Sequence, residues 1–372
     1  MNVLALKLVR ALAATAVVFA AAASASVASA SSFLNQFSHI STIAPAVPAS
    51  GPAMGDQNPY GVAVVRKSTG DLVRGDVLVS NFNNSQNQQG TGSSIVEISP
   101  SGQQHVFAVV PPPSSTPAVG LTTALAVLHS GFVVVGNLPA PGGDSSMATA
   151  GALTILNANG NVVKTITAPD INGPWDMTAT DHGKDATLYV TNVLNGTVAA
   201  GGKVVDQGTV IRIGLRVRHG QPQVTSNTVI GDGFAERTDP DALVVGPTGV
   251  GLGRRGVLYV ADSNNNRIAA IPDAARRMTA LGGGGMSVAM GGDLNDPLGL
   301  LIAPNGNIVT ANGGDGNVVE TSPGGTHVAT KTLVPDGAGD LFGIALAPHH
   351  GGMYFVDDNG SGPAANSLQL LH

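Results

Sequence analysis

Val257-Leu258-Tyr259-Val260-Ala261-Asp262-Ser263-Asn264-Asn265-Asn266-Arg267-Ile268 is an apolar, β-branched run that halts at an aspartate, crosses a polar turn and resumes as a second apolar run. Short strand formers broken by Asx-rich turns belong to a meandering sheet, not to a helix. The same unit recurs at 77–81, 133–137, 188–192, 308–312 and 354–357, ending in Asn81, Asn137, Asn192, Asn312 and Asp357. The six anchors stand about 45 to 70 residues apart, a period typical of repeat architectures. Another apolar strand precedes each anchor. It often opens on a Pro dipeptide, as at Asn58-Pro59, Gly173-Pro174, Asp239-Pro240 and Asp296-Pro297; the last unit opens at Asp340-Leu341, and the second, at 119–122, is the least faithful copy. A polar loop, a third strand such as 95–98 and a fourth such as 106–110 follow the anchor. Four strands per unit, repeated radially, predict an all-β fold, a six-bladed β-propeller of four-stranded antiparallel blades. The expected blades are 58–110, 117–169, 171–234, 239–292, 294–339 and 340–372. The last is one strand short, and the alternating segment 37–43 is expected to complete it and close the ring.

Composition fits this reading. With 50 Gly and 11% charged residues in 372, the chain lacks the solvated helix faces that bundles and coiled coils require. Hydrophobic residues make up 43%, too many for a disordered chain. Aromatics are only 4%, so Val, Ile, Leu and Ala must build the core. All acidic residues but Glu97, Glu236 and Glu320 are Asp, a turn former. The absence of Cys excludes disulfides, thiolate metal sites and Cys nucleophiles.

Lys7 and Arg10, an apolar run over 11–23 and Ala28-Ser29-Ala30 have the layout of a secretory signal peptide, with cleavage expected near Ser31. Residues 31–372 would then form one secreted or periplasmic domain, with no second apolar run long enough to span a bilayer. The net charge is −6 and grows more negative once Lys7 and Arg10 are removed. That charge argues against nucleic acid and anionic lipid as partners. A monomer that binds a small molecule, glycan or protein is expected.

The stretch 257–268 closely resembles the NHL-repeat signature, and 296–312 is a second good match. The chain is therefore similar to NHL-repeat propellers of the TolB-like superfamily, of the bacterial exported type. The resemblance implies a six-bladed propeller and leaves activity open, since such propellers include extracellular binding modules, lactonases and lyases.

In a four-stranded blade, the connection into the innermost strand and the loop after the second strand lie on one face. Asn58, Asp176, Asp241, Asp296 and Asp340 fall at the first position and Asn81, Asn137, Asn192, Asp262, Asn312 and Asp357 at the second. Each alone reads as an Asx side chain bonding the backbone of its own turn. Together they are candidate ligand-binding groups around one channel mouth, suited to Ca²⁺ or another divalent cation. Resemblance to regucalcin-like lactonases implies a metal near Asn58, Asp176 and Asp241, with Asn58 standing where those enzymes carry Glu. The longest insertions, 83–94, 138–151, 193–208 and 358–366, lie on the same face, where they would shape a ligand rim. His129, His182, His349 and His350 fall in turns of the opposite face, which argues against His-based catalysis at the polar mouth. No phosphate loop, nucleophile elbow or zincin motif is present. The expectation is thus a binding propeller working through its loop-rich face, with a metal-dependent lactone hydrolase as the alternative.

Overall fold

The computed structural model describes residues 31–113, 118–358 and 365–372. The expected leader, residues 1–30, and part of the last insertion, 359–364, lie outside the described residues. Six antiparallel sheets form the blades. From the centre outward, the first blade runs Gln57–Val64, Val77–Asn83, Ser94–Ile98 and Gln104–Val109. The remaining inner strands are Leu121–Val127, Gly173–His182, Pro247–Leu252, Pro297–Ile302 and Leu341–Leu346. Each packs on the inner strand of the next blade, and the sixth packs back on the first, so the ring is closed.

One register repeats around the ring. Pro59 pairs with Asn81, Leu121 with Asn137, Pro174 with Asn192, Pro247 with Asp262, Pro297 with Asn312 and Leu341 with Asp357. Two positions after the Pro or Leu, the first, fourth, fifth and sixth blades carry Gly61, Gly249, Gly299 and Gly343. A Cβ at Gly249, Gly299 or Gly343 would collide with the carbonyl oxygen of Leu298, Phe342 or Tyr60 on the neighbouring inner strand. Here the close approach of one blade's backbone to the next requires glycine.

The last blade is completed as the sequence predicts, with a small shift of bounds. Ile40–Pro45 pairs antiparallel with Ser367–Leu371, Ile40 opposite Leu371 and Pro45 opposite Ser367. The preceding residues are fastened to the fifth blade. The buried Glu320 carboxylate accepts hydrogen bonds from the Phe33 and Leu34 backbone N–H groups at 2.9 and 3.0 Å and from the Ser32 hydroxyl at 2.6 Å. Asn305 and Asn307 donate to the same carboxylate. These bonds hold its pKa below the usual carboxylate value even though burial opposes them.

The fourth blade starts later than the sequence reading has it. Its inner strand is Pro247–Leu252; the segment 239–244 instead belongs to a hairpin grown from the third blade. That blade's outer strand runs the full length of Gln221–Asp239, turns at 240–242 and returns as Leu243–Val245. The extra hairpin accounts for the widest spacing between anchors, and Asp241 sits in its exposed turn, not at an inner-strand start. Among the described residues, no helix is long and apolar enough to cross a membrane.

Candidate functional site

The two ends of the central channel differ. The loop-rich end is filled. Tyr60 stacks on Phe82 and Phe342, with centroids 4.4 and 4.1 Å apart, and meets Trp175 from across the ring at 6.1 Å. Leu298 packs with them, and Leu138, Ala140, Ala148 and Leu194 from the insertions, together with Leu243 and Val244 from the hairpin, cover the cluster. Gln89 of the first blade's insertion donates to the Asp241 carbonyl and ties two covering segments together.

The Asx anchors surround this plug and bond mainly to nearby chain. Asn81 donates to the Ala46 carbonyl at 2.8 Å, and Asn137 accepts from the Ala152 N–H at 2.6 Å. Asn192 accepts from the N–H groups of Asn172 and Gly173, and Asn312 donates to the Asp293 carbonyl. Asp262 accepts from Arg267 and Asn265, and Asp357 from Gln369. Fully or nearly fully buried, these six stitch the second strand to the connection beside it.

Acid gathers beside the first and sixth blades. Burial, then the neighbouring charges of Asp340 and Asp357, pushes Asp358 up to about 7. Burial raises Asp296, with Arg237 of the hairpin opposing, and burial also raises Asp340. The Tyr60 hydroxyl is driven up by burial and by Asp358 and Asp296. Asn58, with a positive φ of 58°, accepts nothing at its buried Oδ1, while its N–H donates to Asn366. The residues matched to a regucalcin-like metal site are dispersed. Asn58 lies in this acidic corner, Asp241 is exposed at the hairpin turn, and Asp176 faces the other half of the channel. Among the described residues, no three His, Asp or Glu side chains are grouped to hold a metal ion.

The opposite half of the channel is open, a cavity of about 340 Å³. Its neck is lined by one half-buried apolar side chain from each blade: Val64, Val127, Ala179, Leu252, Ile302 and Leu346. Deeper in the wall stands Asp176, in the position that four other blades fill with glycine. Oδ2 accepts the Val250 N–H of the next inner strand at 2.9 Å. Burial outweighs that bond and pushes the carboxyl up to about 7. The rim carries Arg66 and a hydrogen-bonded pair in which His129 Nδ1 lies 2.8 Å from Asp181. Sequence reading put His129 on this face but gave it no role, and it did not anticipate a cavity there. The signal for Asp176 was present as Pro174-Trp175-Asp176 set against Pro297-Leu298-Gly299.

Residues 245–271 match the NHL repeat family. Comparison with curated proteins gives no match. Among solved structures, the chain is similar to the PQQ-bound aldose sugar dehydrogenase of Streptomyces coelicolor, at 16% identity over 89% of this chain and 97% of that one, with a TM-score of 0.55. It is also similar to a gluconolactonase from Xanthomonas campestris, at 14% identity over 90% and 95% of the two chains and a TM-score of 0.53. A calcium-binding regucalcin from Agrobacterium tumefaciens matches at 14% identity over 87% and 94%, again with a TM-score of 0.53. At such identities these likenesses establish a shared propeller fold.

Proposed function

We propose that the protein is a binding propeller that takes a small molecule into its channel from the face of the turns joining each blade's first and second strands, opposite the loop-rich face. The observation that carries this reading is the 340 Å³ cavity with an apolar neck and a single buried carboxyl, Asp176, in its wall. Its volume falls within the usual range for small-molecule sites, which pair apolar walls with few polar groups. With a pKa of about 7, Asp176 is substantially protonated at neutral pH, so it offers a ligand a hydrogen-bond donor as well as an acceptor. The test is calorimetric titration with a panel of carboxylates, alcohols and sugars against wild type and Leu252→Phe, which narrows the neck. A ligand lost in Leu252→Phe supports the channel; ligands that all ignore the substitution move binding elsewhere.

The acidic corner favours a second reading, a divalent-metal lactone hydrolase. Asn58, Asp340 and Asp358 would supply oxygen ligands, and burial together with the neighbouring acids Asp340 and Asp357 raises the Asp358 carboxyl, a charge cost that a bound cation would relieve. Metal analysis and lactone turnover with and without chelator test it; a metal-free, inactive protein removes it. Both readings take the chain as exported, which the N-terminal residue of secreted material checks against cleavage near Ser31.

A further inference from the structure

The cavity opens onto a face whose charge is opposite to that of the loop-rich face. Asp241, Asp296, Asp340, Asp357 and Asp358 lie at the plugged end. Arg66 stands at the rim of the open end, and Lys67 and Lys184 line the adjoining hollow that shares His129 and Asp181 with it. Among the described residues, Arg66, Lys67 and Lys184 form no ion pair. The rim carboxylate, Asp181, is engaged twice by His129, through the backbone N–H and through Nδ1. Unpaired cations therefore flank a well with an apolar neck in a protein whose net charge is −6.

Building on the channel reading, we infer that the ligand is an amphipathic organic anion, its apolar tail in the neck and its anionic group at Arg66. The neck offers a tail six apolar side chains and no charge, while the rim offers an anion a guanidinium able to bond both oxygens of a carboxylate. Size sets the tail. At roughly 30 Å³ per heavy atom, the cavity holds on the order of ten atoms, which suits a medium-length acyl chain or a single aromatic system. A cationic amphiphile would meet Arg66, Lys67 and Lys184 with like charge, and a hydrophilic sugar would desolvate its hydroxyls against Leu252, Ile302 and Leu346.

Decanoate, decanol and decyltrimethylammonium, titrated calorimetrically into the full-length protein, separate the possibilities. Decanoate should bind about tenfold more tightly than decanol, the worth of a charge-assisted hydrogen bond. Arg66→Ala should erase that preference, bringing decanoate to the affinity of decanol, and Leu252→Phe should weaken both. If decanol equals decanoate, or the cation binds best, the anion assignment is overturned while sensitivity to Leu252→Phe keeps the channel as the site. If decanoate binds equally well to Leu252→Phe, the channel reading falls. If none of the three binds, the amphipathic-anion assignment falls, and the wider panel of carboxylates, alcohols and sugars decides the channel.

Discussion

At the residue scale, Asp176 and Glu236 tie stability to pH in a direction opposite to most carboxylates. Burial pushes Asp176 up to about 7. Between about pH 4 and pH 7 the folded protein keeps a proton that the unfolded chain has lost, so stability falls as pH rises and levels off above 7. Asp176→Asn keeps an oxygen for the Val250 N–H and has no charge to bury, so it should flatten this slope. At pH 8 the variant should exceed wild type by up to on the order of 4 kcal/mol, by denaturant titration at pH 5 and pH 8. Equal slopes in the two proteins would mean that Asp176 is solvated. Glu236 is pushed up to about 8 by burial; one oxygen accepts the Asn195 N–H at 2.8 Å and Oε2 has no partner. Glu236→Gln should be near neutral at pH 5 and stabilising above pH 8. The Glu236 effect was not legible in the sequence, because Glu236 stands in no motif and its burial depends on packing against Gly246 and Asn195.

At the element scale, the hairpin after the third blade decides which channel end is open. Its tip places Leu243 and Val244 in the same core cluster as Tyr60, Trp175 and Phe342, and Leu243 is 1% exposed with a φ of 60°. A β-propensity reading cannot separate such a hairpin from a blade's first strand, since both are a Pro dipeptide followed by a short apolar run. The distinguishing mark was the glycine two places after Pro247, shared with Pro59 and Pro297 and absent after Pro240. The anchors, by contrast, were legible throughout: each Asx is set by a register and a local backbone partner, which a repeated pattern reveals. Leu243→Asp would bury a carboxylate in the plug, so it should cost roughly 2 to 4 kcal/mol or force the hairpin outward. Trp175 is the single tryptophan, so its emission reports the event. A red shift and new proteolytic cleavage within 237–245 are expected; an unchanged spectrum and melting temperature would mean that the hairpin does not seal this end.

At the scale of the whole molecule, the chain is a linear array of blades bent into a ring, and the ring is closed by a strand taken from the other end of the sequence. The inner strands of such an array pack on their nearest neighbours, so cooperativity depends on whether its ends are fastened as well as on the plug that joins blades across the channel. Here they are fastened twice, through five register pairs between Ile40–Pro45 and Ser367–Leu371 and through the Glu320 carboxylate. Deleting residues 32–45 should therefore cost several kcal/mol in lost backbone bonds and apolar burial, and should broaden the unfolding transition as the sixth blade loosens first. Glu320→Ala removes the clamp and keeps the strand, so it should cost less and leave the transition sharp. The closing segment also lies within a turn of the C-terminus, since the N–H groups of Ser38 and His39 both donate to the His372 carbonyl. Moving residues 38–45 to follow His372 through a four-residue turn should consequently restore most of the lost stability in the truncated chain, converting the closure from a junction of two termini into an ordinary hairpin. Rescue by that transplant, and its failure with a scrambled segment of the same composition, would establish strand pairing as the closing force. Equal rescue by both would assign the effect to chain length alone.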